Sequence, residues 1–383
     1  MKYKIINKKK LYATIAADLM GNILFSPIKM FRKKGDLNRN IKNILLIRTA
    51  YMGDIIMTLP VLKSLKARFP KAKISFVASK EGAQLLEGNP YIDRVLPFNP
   101  FWFYKSSIAE YIRFIKQIRA EKFDIVLEAR GDIRELWFIV SLLKSRFKVG
   151  YSFGGGAYLL THVVPFTHMK HRVEYHLDLV RYLGCSTDGI DWRIYLSKEE
   201  RKRVREIMEI SGIKKPFISI HPGARLPLKR WSTKGYAEVC EMVIKHYEMP
   251  LVLLGSEAEV NLANDIAKDI RFKPIILAGS LSLRELSGIL SESALLICND
   301  SAPMHIAAAM ETPTVAIFGP SKSLETGPYR NTCRVVEKDF PCRFTCDERV
   351  CGHKEYQACM KEITPDDVFN AVQELISRKP CNY

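Results

Sequence analysis

Several side chains in this sequence stand in the groupings that group transfer demands. The first is the loop Thr49-Ala50-Tyr51-Met52-Gly53-Asp54, which directly follows the apolar run Ile44–Arg48. Gly53 offers a left-handed turn or a close backbone approach. Asp54 then stands at a helix start, as a cap or as a general base. The helix dipole there favours its ionised form, whereas desolvation raises its basicity. The second grouping is His221-Pro222-Gly223-Ala224-Arg225-Leu226-Pro227-Leu228-Lys229-Arg230-Trp231. Its cations Arg225, Lys229 and Arg230 suit a diphosphate, and Lys229 or Arg225 can offset charge growing on a leaving phosphate. The plainer alternative is a solvated basic loop anchored by Trp231. The third, Leu254-Gly255-Ser256-Glu257, is weaker: Glu257 suits a base or ribose hydroxyl, but Gly-Ser-Glu also starts ordinary helices.

The fourth grouping lies in Ala294–Pro320, ALLICNDSAPMHIAAAMETPTVAIFGP. It predicts a buried strand (294–298), a polar loop with Asp300, a short helix over 301–310 holding His305, and a second buried strand (314–318). Ser301 and Pro303 are sound helix-start signals. A helix start after a parallel strand, with its free N–H groups, is a place for an anion such as a diphosphate. An ordinary capped helix is the structural alternative. A further set, Cys342, Cys346, Cys351 and Cys359, has thiolates enough for structural Zn²⁺ or iron, although no C-x2-C knuckle is present. Free thiols packing an irregular loop are the alternative, and His353 is a spare ligand.

Elements that would carry these groups alternate along the chain. Strands are expected at 44–48, 74–78, 94–97, 124–128 and 147–151, with helices over 54–69, 81–87, 108–120 and 133–144. The scheme repeats with strands at 217–220, 251–254, 275–277, 294–298 and 314–318. Helices over 233–246, 257–270, 283–290 and 301–310 lie among them, and a capped helix over 364–377 closes the chain. This alternation implies parallel sheets with helical crossovers. The predicted organisation is an N-terminal extension (1–40), a first doubly wound α/β domain (41–197), a second (198–363) and a C-terminal helix and tail (364–383). The boundary falls in the charged stretch Lys198–Lys215.

The 383 residues are 47% hydrophobic and 26% charged, which fits folded domains and excludes a disordered chain. Net charge is +18, and residues 1–43 supply +9 of it through eleven Lys/Arg against Asp18 and Asp36. Basic flanks (Lys8-Lys9-Lys10 and Arg32-Lys33-Lys34) bracket an apolar stretch interrupted by Asp18, Asn22, Ser26, Pro27 and Lys29. That is too broken for a membrane span and lacks a signal-peptide pattern. It suits an amphipathic helix on an anionic membrane surface; a basic solvated extension is the alternative. The charge sits at the N-terminus without an aromatic-interleaved basic face, which argues against nucleic acid as a partner. The odd count of nine cysteines suggests a reducing compartment.

In order, NILLIRTAYMGDIIMTLPVLKSLKARFP, HPGARLPLKRW, LLGSEAE, LAGSLSLRELSGIL and NDSAPMHIAAAMETPTVAIFGP resemble the lipopolysaccharide heptosyltransferase family, glycosyltransferase family 9. The resemblance runs from about Asn43 to Thr364. It implies a GT-B fold, two Rossmann-like domains facing a central cleft, with the acceptor on the first and the donor on the second. It also implies inverting transfer of a heptose or related sugar from an ADP-sugar to a lipid-linked lipopolysaccharide core. The enzyme would then be cytoplasmic and peripheral to the inner membrane. By the same resemblance, Asp54 is the base and Lys229 the cation on the diphosphate. Asp300 holds sugar hydroxyls, Ser301 and Ala302 offer backbone near the phosphates, and His305 closes that motif. Glu257 meets the nucleotide, and Thr49, Ala50, Tyr51 and Gly53 line the acceptor side. The Cys342–Cys359 segment resembles a cysteine-rich stretch of several members. No cofactor is required for catalysis, because Lys229 and the helix starting at Ser301 serve the leaving diphosphate. Three departures stand out: Ala302 replaces a common glycine, Ala50-Tyr51 replaces small hydroxyl residues, and the first 40 residues lie outside the pattern. A nucleotide-sugar epimerase or phosphorylase on the same fold, and an anion- or nucleic-acid-binding protein, are the competing functions.

Overall fold

Short apolar runs separated by helical stretches fold as two six-stranded sheets, and all strand pairs run parallel. The computed structural model describes residues 8–30, 40–346 and 348–377, without the side chains of Lys10 and of residues 26–30. The basic run Arg32-Lys33-Lys34, Cys381, and the side chains of Lys10, Ser26, Pro27 and Lys29 lie outside the described residues. The chain divides between Trp192 and Arg193 into two compact units.

In the first unit α1 (Lys8–Met30) precedes β1 (Asn43–Arg48), α2 (Met52–Ile56), α3 (Pro60–Arg68), β2 (Lys73–Ala78) and β3 (Arg94–Pro97). Then come α4 (Ile108–Arg119), β4 (Phe123–Glu128), α5 (Ile133–Phe138), β5 (Ser145–Gly150), β6 (His162–Val163) and α6 (Arg172–Tyr182). Sheet order is β3-β2-β1-β4-β5-β6. Strands β1 and β4 are central and buried on both faces, which is why their middles, Ile44–Ile47 and Ile125–Leu127, read as apolar runs. The single helix expected over 54–69 is two, because Pro60 has no N–H to extend α2 and instead opens α3. The helix expected over 133–144 stops at Phe138 and continues only as a tight turn, Val140–Leu142. Strand β6 and helix α6 are additions to the expected series.

The second unit contains α7 (Lys198–Ile210), β7 (Ile218–His221), α8 (Thr233–Tyr247), β8 (Leu251–Leu253), α9 (Val260–Lys268) and β9 (Ile275–Ile276). It continues with α10 (Leu283–Glu292), β10 (Leu295–Asn299), α11 (Ala302–Ala309), β11 (Thr314–Phe318), β12 (Cys333–Glu337) and α12 (Pro365–Ile376). Its order is β12-β11-β10-β7-β8-β9. Counted within each unit the two orders are the same, 3-2-1-4-5-6, which is the dinucleotide-binding arrangement. The charged stretch Lys198–Lys215, expected as the domain boundary, is mostly helix. Ser197 and Glu200 form a capping box, and Val204 and Met208 are buried. A Cβ on Gly288 would stand 2.2 Å from Val204, so that glycine lets α7 lie close on α10. Below the sheet, Trp231, Tyr236, Val239 and Val243 pack with Ile297, Val368 and Val372 in one core.

Candidate functional site

In both units the candidate residues gather at the point where strand order reverses, between β1 and β4 and between β7 and β10. Ligands of open α/β sheets bind at such switch points, off the carboxyl ends of the strands.

In the first unit, β1 ends on Arg48 and α2 begins at Met52, so Asp54 sits in the first helical turn. Asp54 is buried, with 4% of its surface exposed. Its Oδ1 pairs with Arg48 Nη2 at 2.8 Å and with Arg172 Nη1 at 2.8 Å; neither pair engages Oδ2. Burial alone would raise its pKa, but Arg48, Arg172 and Arg130 together hold it far below the usual carboxylate range. Behind it, Thr58 Oγ1 donates to the Asp54 carbonyl (2.8 Å) and lies 3.3 Å from His176 Nδ1. Burial, reinforced by Arg48, pushes His176 down to about 4, so it is neutral at physiological pH. Nε and Nη1 of Arg48 and Nη1 of Arg130 are buried with no hydrogen-bond partner among the described residues.

The loop itself differs from expectation. The positive φ belongs to Tyr51 (+59°), not Gly53, which lies inside α2. The Tyr51 ring lies 5.6 Å from the Arg130 guanidinium, which also covers Phe103 at 3.9 Å. Thr49 and Ala50, expected on the acceptor side, have no exposed surface. The Thr49 hydroxyl donates inward to Glu135 Oε1. Glu135 lies beside Glu128, also fully buried; burial and the Glu135 charge push Glu128 well above the ordinary carboxylate range. Glu128 accepts from the N–H groups of Arg130 (3.1 Å) and Gly131 (2.6 Å), fixing the loop after β4.

In the second unit Lys229 and Asp300 meet. Lys229 closes a one-turn 3₁₀ segment, Pro227–Lys229, after β7, and Asp300 follows β10. Lys229 Nζ lies 2.7 Å from Asp300 Oδ2 and 2.8 Å from Glu348 Oε2. Burial would lower the lysine, but both carboxylates raise it above its ordinary value, so it stays charged. Ser321 Oγ donates to Asp300 Oδ2 at 2.5 Å. The loop carrying Lys229 is held from both sides. The Trp231 N–H donates to Asn299 Oδ1 (3.1 Å), and the Gln357 amide donates to the carbonyls of Leu228 (3.1 Å) and Arg230 (2.9 Å).

Ser301 precedes α11 in extended conformation, 3.5 Å from His221 Nδ1. Ala302 and Pro303 form the first turn of α11, and His305 is buried within that helix. Arg225 lies exposed in its loop. Glu257 is exposed too, and it is Glu259 that turns inward, to 3.6 Å from His221 Nε2. Burial lowers the His221 pKa although Glu259 opposes it. A Cβ on Gly223 would come within 1.9 Å of Glu259 Oε1, so this glycine makes the approach possible. Sequence reasoning passed over Arg48, Arg130, Arg172, Glu259 and Glu348. Arg48 and Arg130 were detectable in principle as charged residues at or just past the carboxyl ends of central strands.

Among the described residues, no three His, Cys, Asp or Glu side chains are grouped to hold a metal ion. The ligand set expected of Cys342, Cys346, Cys351 and Cys359 is not assembled as a metal site among these residues. None of the eight described cysteines is in a disulfide. Burial and the neighbouring Cys342, Cys346 and Cys351 push Cys359 up to about 11, so it is held as a thiol. His353, the spare ligand, accepts the Glu355 N–H at 3.2 Å.

The family model for glycosyltransferase family 9 (heptosyltransferase) matches residues 111–356. The chain belongs to glycosyltransferase family 9. It is therefore an enzyme of the heptosyltransferase type. Lipopolysaccharide heptosyltransferase 3 of Escherichia coli strain K12 is 26% identical over 343 residues, which are 85% of this chain and 96% of that protein. Among solved structures, the glycosyl transferase family 9 protein of Veillonella parvula DSM 2008 superposes with a TM-score of 0.76 at 22% identity, covering 89% of this chain and 99% of that one. The E. coli heptosyltransferase WaaC with ADP gives a TM-score of 0.69 at 18% identity, covering 87% and 99%. These likenesses establish a GT-B fold for this family 9 enzyme, consistent with its two Rossmann-like units.

Proposed function

We propose that the enzyme transfers a heptose from ADP-heptose to a lipid-linked lipopolysaccharide core, inverting the anomeric carbon, at the cytoplasmic face of the inner membrane. The observation that carries this reading is the Lys229–Asp300 pair at the β7/β10 switch point. A half-buried, charged ammonium there suits a sugar diphosphate, and a carboxylate beside it suits sugar hydroxyls. The relative heptosyltransferases support the donor class.

In the proposed step the acceptor hydroxyl oxygen bonds to the anomeric carbon as the bond from that carbon to the diphosphate oxygen breaks. Asp54 takes the hydroxyl proton, and the electron pair leaves with ADP. Lys229 and the first turn of α11 offset the charge that grows on ADP, so the residues of this chain supply the electrostatic part of catalysis. Asp54 is a weak base in the ground state because its arginines stabilise the carboxylate. It is thus always ionised when needed, and its proton transfer belongs late, when the attacking oxygen has become strongly acidic.

Transfer is to be followed by mass spectrometry with ADP-heptose and truncated core lipids, beside calorimetric ADP binding. Asp54→Ala should lower turnover by about 10²- to 10⁴-fold, the usual contribution of a general base, with ADP affinity unchanged. Lys229→Ala should weaken ADP binding and slow transfer together. Full turnover by the first variant, or unaltered ADP binding and rate in the second, overturns the respective assignment. Epimerised donor formed without acceptor would favour the epimerase instead.

A further inference from the structure

Helix α1 is built inside out for a helix facing water. At its centre the inward face is polar or small. Asp18 is buried and accepts the Gly156 N–H at 2.7 Å, Asn22 donates to the Asp18 carbonyl at 2.7 Å, and Gly21 lies flat on the Tyr158 ring. Phe25 ends this face against Trp137, 5.7 Å between ring centres, and Tyr158, 5.3 Å. The opposite face carries Tyr12, Leu19, Met20 and Ile23, each between 61% and 68% exposed, with Leu24 at its edge. Their spacing of three, four and seven places them on one helical stripe. A helix that buries its aspartate and exposes its apolar stripe needs an apolar partner outside the protein.

The apolar surface does not end with α1. Trp137 and Phe138 of α5 are each 40% exposed. Phe138 packs at 5.8 Å from Phe101 and 6.2 Å from Tyr111 of α4. On α4 itself Ile108 and Ile112 project into solvent. Cations border the surface at both ends: Lys8 and Lys9 on α1, and Lys105, Arg113 and Lys116 in and before α4, all exposed. Aromatic side chains at the rim of an apolar face, with Lys and Arg around it, match the interfacial zone of a bilayer.

We infer that α1, α4 and α5 form one membrane-contact surface, on which the enzyme lies flat against an anionic phospholipid bilayer. No helix among the described residues is long and apolar enough to cross a membrane, so the contact is with the surface. Charge selects this occupant over a second copy of the chain. The cations described on this surface, Lys8, Lys9, Lys105, Arg113 and Lys116, are exposed, and apposing two such faces would bring like charges together, whereas an anionic bilayer complements them. The inference deepens the reading that the acceptor is lipid-linked, but its test contains no sugar, so either can fail alone.

The test is cosedimentation of the full chain with vesicles of phosphatidylcholine and phosphatidylglycerol, or of phosphatidylcholine alone. The full chain should pellet with the anionic vesicles and be released by high salt. Leu19→Glu/Ile23→Glu should lower the vesicle partition at least tenfold, and Ile108→Glu/Ile112→Glu several-fold. All four sites are exposed, so circular dichroism and the melting temperature should not change. A wild-type chain that ignores anionic vesicles overturns the inference. So does equal binding by wild type and both double variants. A dimer in sedimentation velocity that Leu19→Glu/Ile23→Glu dissociates, without vesicle binding by either, assigns the face to a second copy instead. Loss in the α1 variant with wild-type binding in the α4 variant overturns the composite surface.

Discussion

Asp54 is the residue whose setting most constrains the chemistry. Two guanidiniums on one oxygen hold it ionised, and one of them, Arg172, is 39% exposed and can be removed without opening the core. Because Arg172 lowers the Asp54 pKa, Arg172→Ala must raise it. The acid limb of the kcat/KM profile should therefore move to higher pH in that variant, and an unmoved limb would separate Asp54 from the proton step. Stability has the same sign logic. The folded-state pKa lies below the ordinary 3.8, so the stabilisation is present above 3.8 and drains away as pH falls through the folded value. Arg172→Ala should thus narrow the difference in denaturant midpoint between neutral and acidic solution. Asp54 itself was visible in the sequence, as a carboxylate after a strand and a glycine. Its control was not, since Arg172 is 118 positions away and only tertiary structure brings it near.

At the scale of elements, the loops after β7 and β8 depend on close packing. Gly223→Ala would push a methyl group into the carboxylate tip of Glu259, which can swing away from His221, and should cost no more than about 1 kcal/mol, the low end of overpacking, measured by urea unfolding. Pairing it with Glu259→Ala should recover much of that loss; failure to do so would show that the strain lies in the backbone. Trp231→Ala removes a core anchor whose indole N–H holds the Ile363 carbonyl at 3.0 Å, and should cost about 3–5 kcal/mol. The central strands were legible because both faces are covered and their residues are nearly all apolar. Edge strand β12, with Val336 its one buried residue, carries no such signature. Helix α7 hid behind its charges: its inward stripe is two side chains, Val204 and Met208, and its clearest sign was the Ser197/Glu200 capping box.

For the whole molecule, the repeated strand order was within reach of the sequence only as alternation. Which strands neighbour one another depends on pairings across distant segments, such as β1 with β4 and β7 with β10. Once that order is known, the reason for proposing Asp54, Lys229 and Asp300 as the chemical residues becomes geometrical: each follows a strand bordering a switch point. Binding of ADP should stabilise the protein by linkage, about 2.7 kcal/mol at a hundredfold excess over Kd, read as a rise in melting temperature. Lys229→Ala should diminish that rise at the same ADP concentration.

Trp231 has one more consequence. The chain has four tryptophans, and Trp102, Trp137 and Trp192 fall in the first unit, leaving Trp231 as the sole indole chromophore of the second. It is 4% exposed and two positions from Lys229, so its emission begins blue and is sensitive to the electric field of whatever joins that lysine. Trp137, at 40% exposure, emits from a wetter setting and will shift to the blue when an apolar partner such as lipid replaces water. A chain retaining Trp231 alone and another retaining Trp137 alone are thus two optical gauges, one for nucleotide and one for membrane.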